Sequence, residues 1–136
     1  VSVSAEAVGA MELLLQKTVE YSKTRKQFGT SIGTFQALQH RMADMFIECQ
    51  LARSIVVMAA MKLDSSADQR EKTKAVSAAK SRVGKAIRRV SQEAVQIHGG
   101  IGVTNELDVG HYFKRATALE IMFGNTDYHV ERFASL

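Results

Sequence analysis

Residues 68–97 read DQREKTKAVSAAKSRVGKAIRRVSQEAVQI. Within them Ala75, Ala79, Val83, Ile87, Val90, Ala94 and Ile97 return every three or four positions, which sets them along one face of an α-helix. A helix of about 30 residues is roughly 45 Å long, and an apolar face of that length needs partners of similar length. The flanking sequence supplies them. Upstream, Asp64-Ser-Ser-Ala-Asp68 is a polar turn. Before it a second helix runs from Thr34, a plausible N-cap, to about Leu63, with Leu38, Met42, Met45, Phe46, Cys49, Ala52, Val56, Ala59 and Ala60 on a helical period. Long helices joined by so short a turn lie antiparallel. Further upstream, Val8, Met11, Leu15, Val19 and Ser22 give a helix from about Ser4 to Lys26 its buried stripe. It stops near Phe28-Gly29, before the loop Gly29-Thr-Ser-Ile-Gly33. Downstream, His98-Gly-Gly-Ile-Gly102 ends the long helix, a fourth spans about Asp108 to Met122, and a short last one begins near Asn125 or Thr126. The fold expected is all-α: an antiparallel four-helix bundle, up-down-up-down, with a short extra C-terminal helix.

Composition agrees. The chain has 136 residues and no proline, where average usage would place roughly seven. Hydrophobic residues make up 46% and charged residues 24%, a globular rather than a disordered balance. Net charge is +4, and Lys72, Lys74, Lys80, Arg82, Lys85, Arg88 and Arg89 crowd one helix. Such a run reads as a solvated helix face, or as a surface for an anionic partner. Nucleic acid is disfavoured, because no aromatic residue is interleaved with the charge. Cys49 is the only cysteine; it excludes an internal disulfide and reads as a small core residue. The apolar run Ser54–Met61 is far short of a membrane span, and no signal or transit segment is visible.

Chemistry-bearing patterns are few. Arg25-Lys-Gln-Phe-Gly29 and Gln96-Ile-His-Gly-Gly-Ile-Gly102 could bring backbone amides close to phosphates, or could simply stop helices. Neither is a P-loop or dinucleotide fingerprint, since neither follows a strand. Histidines 40, 98, 111 and 129 are scattered without zinc spacing; His98 could cap the last carbonyls of its helix. Glu6 and Glu12 read as surface charge, and no Ser-His-Asp arrangement can be assembled.

Taken in order, these stretches resemble the C-terminal helical domain of the acyl-CoA dehydrogenases. The matching motifs are Tyr21-Ser-Lys-Thr-Arg25-Lys-Gln-Phe28-Gly29, then Phe35-Gln36 through Ala43-Asp44-Met45, then Gln96 through Gly102, then Tyr112-Phe-Lys-Arg-Ala116. They cover nearly the whole chain. The resemblance implies an FAD-dependent enzyme that oxidises an acyl-CoA thioester at its α and β carbons. A carboxylate takes the α-proton and flavin takes the β-hydride. It implies an N-terminal helical domain and a middle β domain outside residues 1–136. It also implies an electron-transfer acceptor, a homo- or hetero-oligomer with the cofactor crossing a dimer interface, and a cytoplasmic or mitochondrial-matrix location. By the same resemblance Arg25, Gln27, Phe28, Gln36, Gln96, Gly99 and Gly100 are cofactor-binding. Arg25 suits a pyrophosphate oxygen, Gln27 a phosphate or ribose, and Phe28 an adenine or the dimer partner. Gln36 sits at a helix start that favours anions, and the glycines permit close backbone approach. The residues themselves also allow Phe28 as core filler and Arg25 as a helix C-terminal cation.

One departure concerns the base. Where many members carry glutamate before Gly-Thr, this chain reads Ile121-Met-Phe-Gly-Asn-Thr126, and Phe123 cannot accept a proton. Other relatives place the glutamate about seven turns before Arg25, just upstream of Val1; alternatively the base belongs to another subunit. No catalytic residue is therefore expected in this chain, and the isolated domain is expected to be inactive. A helical interaction module that kept the fold without the chemistry is the alternative.

Overall fold

The computed structural model describes residues 1–136. Helix α1 (Ser2–Thr24) leads into a two-stranded hairpin, β1 (Lys26–Gln27) and β2 (Thr30–Ser31), and a 3-10 turn, Ile32–Thr34. Helices α2 (Gln36–Asp64) and α3 (Gln69–His98) follow, then a second 3-10 turn (Gly99–Val103), α4 (Val109–Ile121) and α5 (Thr126–Ser135).

Side chains that cross between helices fix their directions. Arg41–Glu93, Arg89–Asp44, Arg82–Glu48 and Lys62–Glu71 run in opposite numerical order along α2 and α3, so these two are antiparallel. Lys17–Asp108 and Arg115–Glu6 do the same for α1 and α4. Tyr21 near the end of α1 stacks on His98 at the end of α3, so those two point the same way. The bundle is up-down-up-down, with α3 touching every other helix. Its face meets Met11 and Leu14 of α1, Met45, Cys49 and Ala52 of α2, and Ala116 and Leu119 of α4 in one continuous core.

The start and stop of α3 are local. Asp68 Oδ1 accepts from the Glu71 backbone N–H at 2.8 Å, a cap worth about 1 kcal/mol. At the other end Gly99 takes φ 65°, a conformation L side chains avoid, and His98 Nδ1 meets the Ala94 carbonyl at 2.8 Å.

Four expectations need correction. The α1 stripe is Ser4, Ala7, Val8, Met11, Leu14, Thr18 and Ser22; Leu15 and Val19 are only half-buried. Helix α1 lies between α2, α3 and α4, so its apolar face is centred one position earlier, and Thr18 satisfies its hydroxyl on the Leu14 carbonyl at 2.7 Å. Phe46 is 54% exposed, because its neighbour Met45 takes the inward direction and one residue turns the helix by about 100°. Thr34 is not the cap of α2: Phe35 holds that position without a side-chain cap, and Thr34 Oγ1 donates to Ser31 O at 2.7 Å inside the 3-10 turn. Finally, the basic residues of α3 do not share one solvated face. Arg82 and Arg89 reach across to Glu48 and Asp44, and Lys80 is buried.

Candidate functional site

Because α1 and α3 run the same way, both glycine-bearing motifs lie at one end of the bundle, along with the start of α2. The hairpin is what presents the first motif. Arg25 ends α1 by donating its N–H to Tyr21 O at 2.8 Å, and its own carbonyl receives Ile32 N–H at 2.9 Å. Between them Lys26 pairs with Ser31 and Gln27 with Thr30. The two loop residues, Phe28 at φ 53° and Gly29 at φ 79°, are both left-handed, the geometry that matches a tight two-residue turn to the strand twist.

That turn pushes Phe28 outward. It is 93% exposed, which excludes it as core filler, and its ring stands edge-on to that of Phe35, ring centres 6.1 Å apart. Arg25 and Gln27 are exposed on the same hairpin, and Arg25 takes no part in the ion pairs that lace the bundle. Gln36 is the exposed first residue of α2, whose opening N–H groups meet no side-chain cap. An uncapped helix start carries partial positive charge and free donors. Arg25, Gln27, Phe28 and Gln36 thus form one open edge with a cation, two amides, an aromatic face and a helix N-terminus.

Gln96, Gly99 and Gly100 are exposed at the end of α3, tied to α1 by the Tyr21–His98 stack at 4.4 Å. A methyl added at Gly99 or Gly100 would meet nothing within 4 Å, whereas one at Gly102 would strike His98 Cβ at 2.9 Å and Val95 O at 3.0 Å. Gly102 is therefore required by internal packing, while Gly99 and Gly100 leave bare backbone facing outward. They stand at the same end of the bundle as the hairpin.

A second feature escaped the sequence. The α4–α5 connection at Phe123–Gly124 borders a cavity of about 350 Å³ lined by Val1, Val3, Val76, Lys80, Phe123 and His129, among others. Lys80 Nζ donates to Glu120 O at 2.8 Å and Gly124 O at 2.9 Å, and burial lowers its pKa, against a raising influence from Glu120. His129 Nε2 lies 3.0 Å from Phe123 O. Burial pulls its pKa down, the Phe123 carbonyl pushes it up, and the Lys80 charge lowers it again. Lys80 is adjacent to Ala79 on the buried stripe, which placed it near the core, but its partners are carbonyls of α4 and of the turn after it, Glu120 O and Gly124 O, that no local pattern reveals.

The model of the acyl-CoA dehydrogenase C-terminal domain matches residues 1–135. The chain belongs to the acyl-CoA dehydrogenase family. It is 46% identical over 114 residues to acyl-CoA dehydrogenase IpdE2 of Mycolicibacterium smegmatis, covering 84% of this chain and 34% of that protein. Among solved structures it resembles the ChsE4–ChsE5 complex from Mycobacterium tuberculosis, with TM-score 0.92 and 32% identity over 98% of this chain and 36% of the other. It also resembles the FAD complex of PigA, with TM-score 0.88 and 29% identity over 97% of this chain and 34% of the other. The chain spans about a third of the length of the relatives it matches, and it is the helical C-terminal domain of this acyl-CoA dehydrogenase architecture. No helix is long and apolar enough to cross a membrane.

Proposed function

We propose that the whole protein is an FAD-dependent acyl-CoA dehydrogenase in which this domain supplies part of the flavin site and of the subunit interface. The observation that carries this reading is the open hairpin edge in a chain of this family. Arg25, Gln27 and Phe28 are held out by a turn with two left-handed residues and are covered by nothing in the domain. They fit an anionic, ring-bearing ligand shared with another chain. Arg25 would hold a pyrophosphate oxygen by a charge-assisted bond, Gln27 and Gln36 would donate to phosphate or ribose, and Phe28 would offer its face to a base or to the partner. Gln96 and the bare backbone of Gly99 and Gly100 would line a second approach. When bound, FAD supplies hydride acceptance. N-terminal helical and middle β domains would complete the enclosure, and an electron-transfer acceptor would reoxidise the cofactor.

The α-proton needs a base, and Phe123 is not one. Val1–Ser4 and Phe123 line the same cavity, so a residue just before Val1 would stand beside the Phe123 position. This favours a base just upstream of Val1. The second reading, a subunit without a base that works beside a catalytic partner, also fits Phe123, and the two-protein ChsE4–ChsE5 relative lends it support.

The experiment is Arg25→Ala in the full-length protein, purified with any co-expressed partner. Loss of most bound flavin with an unchanged far-ultraviolet circular dichroism spectrum is the expected result. Wild-type flavin content in the variant would remove Arg25 from the site.

A further inference from the structure

Most of the residues around the cavity at the α4–α5 turn are polar: Ser2, Ser4, Lys80, His129 and Arg132. They come from three helices, and the domain itself does not use up their hydrogen-bonding capacity. His129 is 4% exposed. Its Nε2 lies 3.0 Å from Phe123 O, and a carbonyl can only accept, so Nε2 carries the ring proton. Burial holds the ring's pKa below 6.5 against the pull of that carbonyl, and the Lys80 and Arg132 charges push it lower. The ring is therefore neutral, and its Nδ1 is a bare lone pair. Nδ1 is buried and meets no donor in the domain, an arrangement that is costly and rare in native interiors.

The donors line the same cavity. An ammonium has three N–H groups, and Lys80 Nζ spends two on Glu120 O and Gly124 O, which leaves one over. Arg132 belongs to none of the ion pairs that lace the bundle. One buried acceptor thus stands with unspent donors on two cations, and that combination discriminates between ligand groups. A carbonyl or carboxylate oxygen has no proton for Nδ1 and would set lone pair against lone pair. An ammonium has no lone pair for Lys80 or Arg132 and would add a third positive charge. A hydroxyl does both: its O–H donates to Nδ1, and its oxygen accepts from Arg132 or Lys80.

We propose that His129, Arg132 and Lys80 form a recognition site for a hydroxyl on the acyl group of the bound thioester, so that the substrate class is a hydroxylated acyl-CoA rather than a plain fatty acyl-CoA. The proposal rests on the acyl-CoA reading above. His129 is the acceptor, with its ring aimed by Phe123 O, and the two cations are the donors.

The test is calorimetric binding of acyl-CoA thioether analogues, which cannot be oxidised, to the full-length flavoprotein purified with any co-expressed partner. The analogues come in matched sets on one acyl skeleton: a parent without a polar group, one with a hydroxyl beyond the β carbon, and one with a carboxylate at that place. In at least one set the hydroxylated analogue is expected to bind about tenfold more tightly than its parent, because the parent leaves Nδ1 and the donors unmatched. The carboxylate should gain nothing. His129→Leu should erase the preference and Arg132→Met should reduce it several-fold, with affinity for the parent retained in both. The preference is a ratio within each variant, so a general loss of stability does not imitate it, and Arg132 is exposed, so its replacement leaves the core untouched. Parents that bind as tightly as every hydroxylated analogue would overturn the proposal, water then serving Nδ1. A gain for the carboxylate in place of the hydroxyl would overturn it and make the cavity an anion site. A hydroxyl preference that survives both substitutions would overturn it by placing the recognition elsewhere. If the wild-type flavoprotein binds none of the analogues, the acyl-CoA reading itself falls, and this inference with it.

Discussion

Gly84 on α3 faces Thr126 at the start of α5, and the packing there can be tested by setting two opposed effects against each other. Alanine is favoured over glycine in a helix interior by about 0.5–1 kcal/mol. A methyl at Gly84, however, would stand 2.4 Å from Thr126 Oγ1 and 3.7 Å from Glu120 Cγ. The first distance is about 1 Å inside ordinary contact, and overpacking of that kind costs about 1–3 kcal/mol. The clash wins. Gly84→Ala is expected to lower stability by about 1 kcal/mol, or about 3–5 °C in melting temperature. Thr126 serves the turn through its backbone N–H, donated to Glu120 Oε1, so Thr126→Ala removes the obstacle at little cost. In Gly84→Ala/Thr126→Ala the helix-propensity gain should emerge, leaving the double variant at or above wild-type stability and a coupling of about 2 kcal/mol between the sites. Urea unfolding followed by circular dichroism at constant m-value measures all four corners of the cycle. A stabilised Gly84→Ala single variant, or a coupling below about 0.5 kcal/mol, would refute the close approach of α5 to α3.

Three further outcomes follow from burial. Leu14 is fully buried among three helices, so Leu14→Ala should lose about 2–5 kcal/mol in the same unfolding assay, whereas Leu15→Ala should lose much less. Cys49 is fully buried and burial, with Glu12 and Glu48 nearby, pushes its pKa up to about 12; iodoacetamide at mildly alkaline pH should modify it only in denaturant, as mass spectrometry will report. His129 has a pKa lowered from 6.5, first by burial. Its unfolded form therefore binds the proton first on acidification, and its contribution to stability is complete above the unfolded pKa and declines as pH falls toward the folded one. His129→Gln should flatten the stability loss as pH falls below about 6.5, and an unchanged slope would show that His129 does not titrate this way.

The long elements of the fold are legible because they obey one local rule. All seven residues named for the α3 face are buried, and Asp68 and Gly99 mark the ends of that helix by side-chain and φ chemistry that belongs to those residues alone. Helix α1 shows where local pattern fails. Three neighbours press on it, and a shift of one position from Leu15 to Leu14 is invisible to a period of 3.6. The hairpin at Arg25–Ser31 was legible as a glycine loop but not as strands, since a two-residue pair is stabilised by Ile32 and Ser22, where Ser31 Oγ donates to Ser22 O at 2.7 Å. Lys80 and His129 were missed for the same reason on a larger scale: what makes them unusual is the set of carbonyls at Glu120, Phe123 and Gly124. The seven proposed cofactor residues came from ordered motifs, and the structure places all seven exposed at one end of the bundle.

The central claim is that Arg25, Gln27 and Phe28 form part of a flavin site in a working acyl-CoA dehydrogenase. Its most direct measurement is the visible spectrum of the full-length protein, purified with any co-expressed partner and titrated anaerobically with a panel of acyl-CoA thioesters. Stoichiometric FAD whose absorbance bleaches with at least one thioester, and whose retention falls when Arg25 is replaced by alanine, is the predicted result. A well-folded, colourless protein that takes up no added FAD would contradict the account.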